Sequence, residues 1–377
     1  MKLLNLFTLI ILSFFAIGCN SMSGVVSLGV SSDGKYAISA HGKDELVLWD
    51  LTKKEKKLLA KNANPYSAYF IPDSHEFMWQ DSNNVVHIQN IEGKEILQFP
   101  HFKTEGQAIS ADKSFYLSAD EWGKFYKGHG KDLVPIYTDA PISPSQPYTF
   151  SIVGDKFLSV GNGRRGRNGE AAETKLTANP VNPDKYKKDS YQGVTLWDKK
   201  TLKPLARLYG NSGRTMGIIS PNGKWVIAVS ENARRYTWSV LNPHQRLKLA
   251  DIDGIIQLGE NKEIIRDKSK LLPIPDKFKD KSINRSDYFT VAFVTEKEFI
   301  IFPDSVDELA LLYTTGDPWI KAYVEIGRNP QISNGNLSIA SAYKANILVT
   351  GQYGRGGINV YKYHPNTKEL EKIWVAD

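Results

Sequence analysis

Residues 26–51 read VSLGVSSDGKYAISAHGKDELVLWDL. An apolar run leads into Asp33-Gly34, then a second apolar run, a polar tip HGKDE, and a third run that closes on Trp49-Asp50. Asp-Gly between alternating apolar stretches is a strong hairpin signal, because the glycine supplies the positive φ that a tight turn needs. The stretch therefore predicts three consecutive antiparallel strands. Residues 215–241, TMGIISPNGKWVIAVSENARRYTWSVL, repeat the order, with Asn222-Gly223 at the first turn and Trp238 on the third strand.

Weaker copies of this grammar occupy residues 67–91, 106–128, 148–200, 289–315 and 337–363. The early copies are spaced by about 40 residues, the period of a four-stranded propeller blade. The expected fold is all-β: a single β-propeller over residues 25–377, with seven four-stranded blades. Two stretches break the rhythm. Residues 167–192 are polar, contain two Asn-Pro steps and read as an exposed loop inserted in the fourth copy. Residues 251–284 read either as an embellishment or as a degenerate eighth blade, so six and eight blades stay open.

The two best copies resemble WD40 repeats. SSDGKYAISAHGKDELVLWD and SPNGKWVIAVSENARRYTW follow the WD40 pattern, and Leu-Trp-Asp occurs at 48–50 and again at 196–198. The resemblance implies a WD40-like propeller whose first strands line a central channel. It implies that second-to-third-strand turns and blade connections share one face, and that the remaining turns share the other. The Gly-His pair that usually opens a WD40 blade is missing, so the His–Ser/Thr–Trp–Asp hydrogen-bond network is expected to be missing too. Trp49, Trp197 and Trp238 fall at equivalent third-strand positions, which points to packing between blades and away from ligand stacking.

The chain begins MKLLNLFTLIILSFFAIGCNS. One lysine precedes an apolar run that is short for a bilayer-spanning helix of roughly 20 residues and fits a secretory signal peptide. Ala16-Ile17-Gly18-Cys19 resembles the lipobox of bacterial lipoproteins. The resemblance implies a signal peptide over residues 1–18, acylation of Cys19 and a tether over residues 19–24. An uncleaved anchor, or a plain signal peptide that ends in cysteine, remains the alternative. With Asn20 at the next position, the expected location is the outer membrane on its periplasmic side; surface exposure stays open. Cys19 is the single cysteine of the chain, so the folded part has no disulfide and no cysteine-held metal.

The 377 residues carry 48 Lys and Arg against 41 Asp and Glu, a net charge of +7. Export argues against nucleic acid as the partner. It points to an acidic envelope protein, to the membrane reached through the N-terminal lipid, or to an anionic glycan such as lipopolysaccharide. Arg164, Arg165, Arg167, Arg234, Arg235 and Arg355 fall in second-to-third-strand turns, and Arg214 and Arg328 fall in blade connections. All eight therefore map to one face, where they form the expected partner-binding set. Arginine grips carboxylate or phosphate in a planar, two-pronged way. Lys175, Lys185, Lys187 and Lys188 of the polar insertion are secondary candidates. The plain alternative is that these arginines pair with Asp44, Glu45, Glu121, Glu170 and Glu231 in the same turns. The opposite face is lysine-rich, as hairpin tips ordinarily are.

Signals for chemistry are weak. The seven histidines, His41, His75, His87, His101, His129, His244 and His364, show no metal-ligand spacing. No Gly-x-Ser-x-Gly elbow is present. The innermost strands read as apolar or small, which argues against a lactonase-type channel metal. The expected function is non-enzymatic, with no cofactor and no metal: a scaffold or adaptor in an envelope assembly, secretion or conjugation complex. A glycan-binding module and a periplasmic hydrolase or lactonase are the alternatives.

Overall fold

The structure is a computed structural model. It describes residues 23–376 apart from 121–123, 138–148, 162–177, 180–193, 209–210, 212–214, 231–233, 244–245, 251, 253–254, 259–262, 267, 277–278, 280–287, 304–308, 327–337 and 353–355. Its strands form seven antiparallel sheets, each built around four strands, giving a seven-bladed propeller. Blade 1 is typical, with strands Val25–Val30, Tyr36–His41, Leu46–Asp50 and Glu55–Ala60 in that spatial order. First strands of neighbouring blades abut one another around the inside of the ring.

The hairpin at the end of the first strand is written in side chains. Ser31 Oγ donates to Asp33 Oδ1 at 2.7 Å and accepts from the Tyr36 N–H at 3.0 Å. Asp33 Oδ1 also accepts from the Lys35 N–H at 3.1 Å. Ser220, Asn222 and Trp225 repeat this in blade 5, and Ser110, Asp112 and Phe115 repeat it in blade 3. Gly34 and Gly223 occupy the positive-φ position, at 71° and 70°. The aspartate of Leu-Trp-Asp closes the next turn. Asp50 Oδ1 accepts from the Thr52 and Lys53 N–H groups, and Asp198 Oδ1 accepts from Thr201.

The core is divided into seven hydrophobic clusters, one at each junction between neighbouring blades. Blade 7 and blade 1 meet in the same way as the others. Val25, Ala37, Val47 and Trp49 of blade 1 pack on Val349, Ile358, Val360 and Ala376 of blade 7. Trp49 meets Trp374 edge to face with ring centres 6.1 Å apart. Blade 1 and blade 7 each hold four strands of their own, so the ring is closed by packing and not by a shared strand. The approach is close at Gly351, where a Cβ would stand 2.5 Å from Val25 Cγ1.

The two interruptions of the repeat have separate outcomes. Ile255–Leu258 and Glu263–Arg266 form a hairpin that continues the outer edge of blade 5 into a six-stranded sheet. The described strands within residues 251–284 therefore extend a blade and do not make an eighth one. In the other interruption, Ala178–Asn179 adds a fifth strand outside Pro204–Leu208 of blade 4. The remainder of residues 167–192 lies outside the described residues.

Candidate functional site

Strand direction separates two faces. The connection face carries the second-to-third-strand turns and the links between blades. The hairpin face carries the other turns. Backbone bonds confirm the first grouping: the Ala63 N–H of the link after blade 1 donates to the Asp44 carbonyl, and the Ser82 N–H donates to the Asn62 carbonyl.

On the connection face the chain enters blade 1 through a pinned segment. The Ser23 N–H donates to Glu45 Oε2 at 3.3 Å, and Ser23 Oγ accepts from the Lys43 N–H at 2.6 Å. The Ser23 carbonyl lies 2.8 Å from His41 Nδ1. The Gly24 carbonyl accepts from the Gly42 N–H at 3.0 Å. Glu45, one of the acids considered as an arginine partner, is thus used by the entering backbone.

His41 continues inward. Its Nε2 lies 2.8 Å from Ser39 Oγ, which accepts from Trp49 Nε1 at 2.8 Å. Both His41 and Trp49 are fully buried. Burial pushes the His41 imidazole below its ordinary pKa, against the opposing hydrogen bond to Ser23. Blade 4 repeats the inner half, with Trp197 Nε1 donating to Ser159 Oγ at 2.9 Å. In blade 3, His101 comes from the connection itself and meets Ser118 Oγ at 2.8 Å. The expectation that this network is missing is therefore corrected in part: a His–Ser–Trp chain is present in blade 1, while His41 Nδ1 faces the Ser23 carbonyl where an aspartate would stand. In blade 1 the histidine sits two residues after the serine on the same strand, where no Gly-His signature would reveal it.

A second set of buried polar groups ties the links on either side of blade 2. Gln80 Oε1 accepts from Asn64 Nδ2, the Thr104 N–H and Thr104 Oγ1 at 2.9, 3.0 and 2.9 Å. Gln80 Nε2 donates to the Phe102 carbonyl at 2.7 Å. Residues 64, 80 and 104 are far apart in sequence and share no motif, so only the fold joins them.

Among the expected partner-binding arginines, the described residues include two. Arg234 and Arg235 open the third strand of blade 5, opposite Ser230 and Val229, and so are not turn residues. Arg235 is 1% exposed and belongs to the interior of the blade. The strand ends that bracket residues 162–193 and 353–355 reach the connection face. Arg164, Arg165, Arg167, Arg214, Arg328, Arg355, Cys19 and the lysines at 175, 185, 187 and 188 themselves lie outside the described residues. Lys43, Lys61, Lys103 and Lys124, which no sequence motif singles out, are exposed on this face.

The hairpin face bears a groove of about 500 Å³ between the tips of blades 7, 1 and 2, lined by Ser32, Asp33, Asp73, Ser74, His75, Lys344 and Ala345. His75 Nε2 meets Asp33 Oδ2 at 2.9 Å, and Lys344 Nζ meets Asp73 Oδ1 at 3.0 Å. Partial burial of the Asp33 carboxyl is outweighed by hydrogen bonds from Ser31, His75 and the Lys35 N–H, which hold its pKa down to about 2. The groove's charges are thus already paired across blades. Among the described residues no group of three His, Cys, Asp or Glu side chains is placed to hold a metal.

No protein family matches the chain. No curated protein matches it either. Solved structures do. The chain is similar to the β-propeller domain of Cps50 (Swd1) from Myceliophteria thermophila, with 13% identity and a TM-score of 0.54 over 91% of this chain and 97% of that one. It is also similar to KlHsv2 with loop 6CD replaced by a Gly-Ser linker, with 9% identity and a TM-score of 0.52 over 94% of this chain and 99% of that one. The fold is that of a WD40-type β-propeller. At such identities the likeness reaches the architecture and stops there.

Proposed function

We propose that the protein is a lipid-anchored, non-enzymatic interaction scaffold of the bacterial envelope, held at the outer membrane on its periplasmic side through Cys19. One observation carries the reading: a closed ring of seven blades, packed alike at every junction, that presents two faces built from turns. Such a ring keeps turn residues from distant parts of the sequence in fixed relation, which suits docking. The basic side chains of the connection face are the proposed contacts for an acidic surface: the exposed lysines together with Arg164, Arg165, Arg167, Arg214, Arg234, Arg328 and Arg355. Arg235 leaves this set because its side chain is interior.

Photo-crosslinking in native envelopes tests the scaffold role. Reactive residues replace Asn62 or Ser82 on the connection face and Lys200 or Asn366 on the hairpin face, all four exposed. A discrete protein trapped reproducibly from one face, and absent from the other, supports the scaffold. No protein from either face sinks it.

A further inference from the structure

We infer that the connection face lies against the membrane leaflet that holds the lipid anchor, and that the acidic partner of its basic side chains is the net negative charge of the anionic headgroups in that leaflet. This rests on the proposed acylation of Cys19. The geometry comes from Ser23. Its N–H, hydroxyl and carbonyl are all engaged by the His41–Glu45 turn, and the next carbonyl is held by Gly42, so the fold fixes the chain from this point. Only four residue steps lead from Cys19 to Ser23. At full extension they span at most about 14 Å.

Three orientations can be compared with that reach. With the hairpin face down, the tether would have to run the length of the first strand. Val25–Val30 is 6 residues, roughly 20 Å at 3.4 Å per residue, which the tether does not cover. With the rim down, it would have to cross from the first strand to the fourth. Three strand spacings amount to about 14 Å and use the whole tether, leaving no chain to enter the headgroups. With the connection face down, Ser23 already stands on the surface that meets the leaflet.

Exposed Lys43, Lys61, Lys103 and Lys124 lie on the connection face. Anionic headgroups attract such juxtamembrane basic side chains. Exposed lysines such as Lys35, Lys53, Lys200 and Lys224 lie on the hairpin face as well, so the tether geometry, and not charge, separates the two faces. The hairpin face, with its groove between Asp33, His75, Asp73 and Lys344, then points away from the leaflet and is the surface open to protein partners.

The test uses the full acylated chain in vesicles of phosphatidylethanolamine and phosphatidylglycerol that carry an acceptor dye on the headgroup. A donor dye is placed on a cysteine at Lys43, Lys61 or Lys103, or on the opposite face at Lys35, Asp112 or Asn366. The expected result is energy transfer about twofold or more higher from the first group, given a difference in height of roughly 20 Å. Equal transfer, or higher transfer from the second group, overturns the orientation. Transfer from the first group is also expected to fall when the vesicles contain only phosphatidylcholine; unchanged transfer overturns the headgroup contact. Mass analysis of the N-terminal peptide separates the two levels. A free Cys19 thiol overturns the anchoring reading and this inference together, whereas acylated protein with the wrong face down overturns this inference alone.

Discussion

Three blades differ at one position in a way that yields a graded test. Ser39, Ser159 and Ala228 occupy equivalent places on the second strands, beside Trp49, Trp197 and Trp238. The three indoles are at most 1% exposed. In blade 1 the serine serves both Trp49 Nε1 and His41 Nε2; in blade 4 it serves Trp197 Nε1. In blade 5 alanine offers nothing, and Trp238 Nε1 is buried without a hydrogen-bond partner among the described residues. A stranded buried polar group costs about 1–3 kcal/mol. Ser39→Ala strands two groups and should cost roughly 2–5 kcal/mol, while Ser159→Ala strands one and should cost about 1–3. Ala228→Ser supplies the missing acceptor and should contribute about 1 kcal/mol of stability. At about 2 cal/mol/K per residue, a chain of this size has an unfolding entropy near 0.8 kcal/mol/K, so the expected Tm changes are roughly −3 to −6, −1 to −4 and +1 °C. Scanning calorimetry gives the order, and proton exchange at the Trp238 indole, slower in Ala228→Ser, gives the cause. A Ser39→Ala change no larger than Ser159→Ala, or an Ala228→Ser protein that melts lower than the parent with unslowed indole exchange, would refute the reasoning.

Three further outcomes follow from the packing and the titrating groups. Gly351→Ala puts a methyl against Val25 at the closing junction and should cost about 1–3 kcal/mol, read as a lower urea midpoint; an unchanged midpoint removes the close approach as a constraint. Gln80→Leu removes the acceptor of Asn64 and Thr104 and the donor to the Phe102 carbonyl, and should cost at least about 3 kcal/mol by denaturant titration. Burial, with a smaller contribution from the charge of His129, lowers the His101 pKa from 6.5 to about 4. The folded state therefore binds this proton less readily than the unfolded state, so stability is complete above pH 6.5 and falls as pH drops from 6.5 towards 4. The shift alone corresponds to about 3 kcal/mol, reduced to roughly 2 by the solvent-exposed part of the ring. His101→Gln should flatten the stability profile in that window, and a parent profile that is already flat there rules out the buried neutral imidazole.

Local order is legible in the sequence because hairpins are local chemistry. Ser-x-Asp/Asn followed by an aromatic is a turn that closes through its own side chains, so Asp33, Asp112 and Asn222 mark blades on sequence alone. The tryptophans read as packing groups because they recur at equivalent positions, and they sit in the junctions. Residues 251–284 are ambiguous in sequence because two short strands have the same pattern whether they start a blade or extend one; the pairing of Leu247 with Leu258 decides it. Arg234 and Arg235 mislead because a charged pair after a polar tip looks like turn, yet the ladder begins at Arg234 opposite Ser230. The Gln80 contacts and the tie from Ser23 to His41 are invisible in sequence, since they join residues 16 to 24 positions apart without a shared motif.

Closure by packing places the seal of the ring beside the N-terminal entry. Each junction is a cluster of the same kind, and the one between blades 7 and 1 has no strand in common to lock it. Its order depends on Val25 entering beside Gly351, with the Val25 N–H donating to the Gln352 carbonyl at 3.1 Å. Two residues earlier, Ser23 is fastened to the His41–Glu45 turn. The point where the ring is sealed and the point where the N-terminal segment enters are therefore one neighbourhood on the connection face. Under the proposed anchoring, a pull on the N-terminal segment would bear first on the Ser23 contacts, which lie outside the packed cluster, and reach the seal only after they part. Ser23→Pro, which removes the N–H donated to Glu45, should leave calorimetric stability nearly unchanged while making residues 19–24 more readily cleaved by protease. A Tm loss as large as that expected for Gly351→Ala would show instead that the tether contacts are part of the seal.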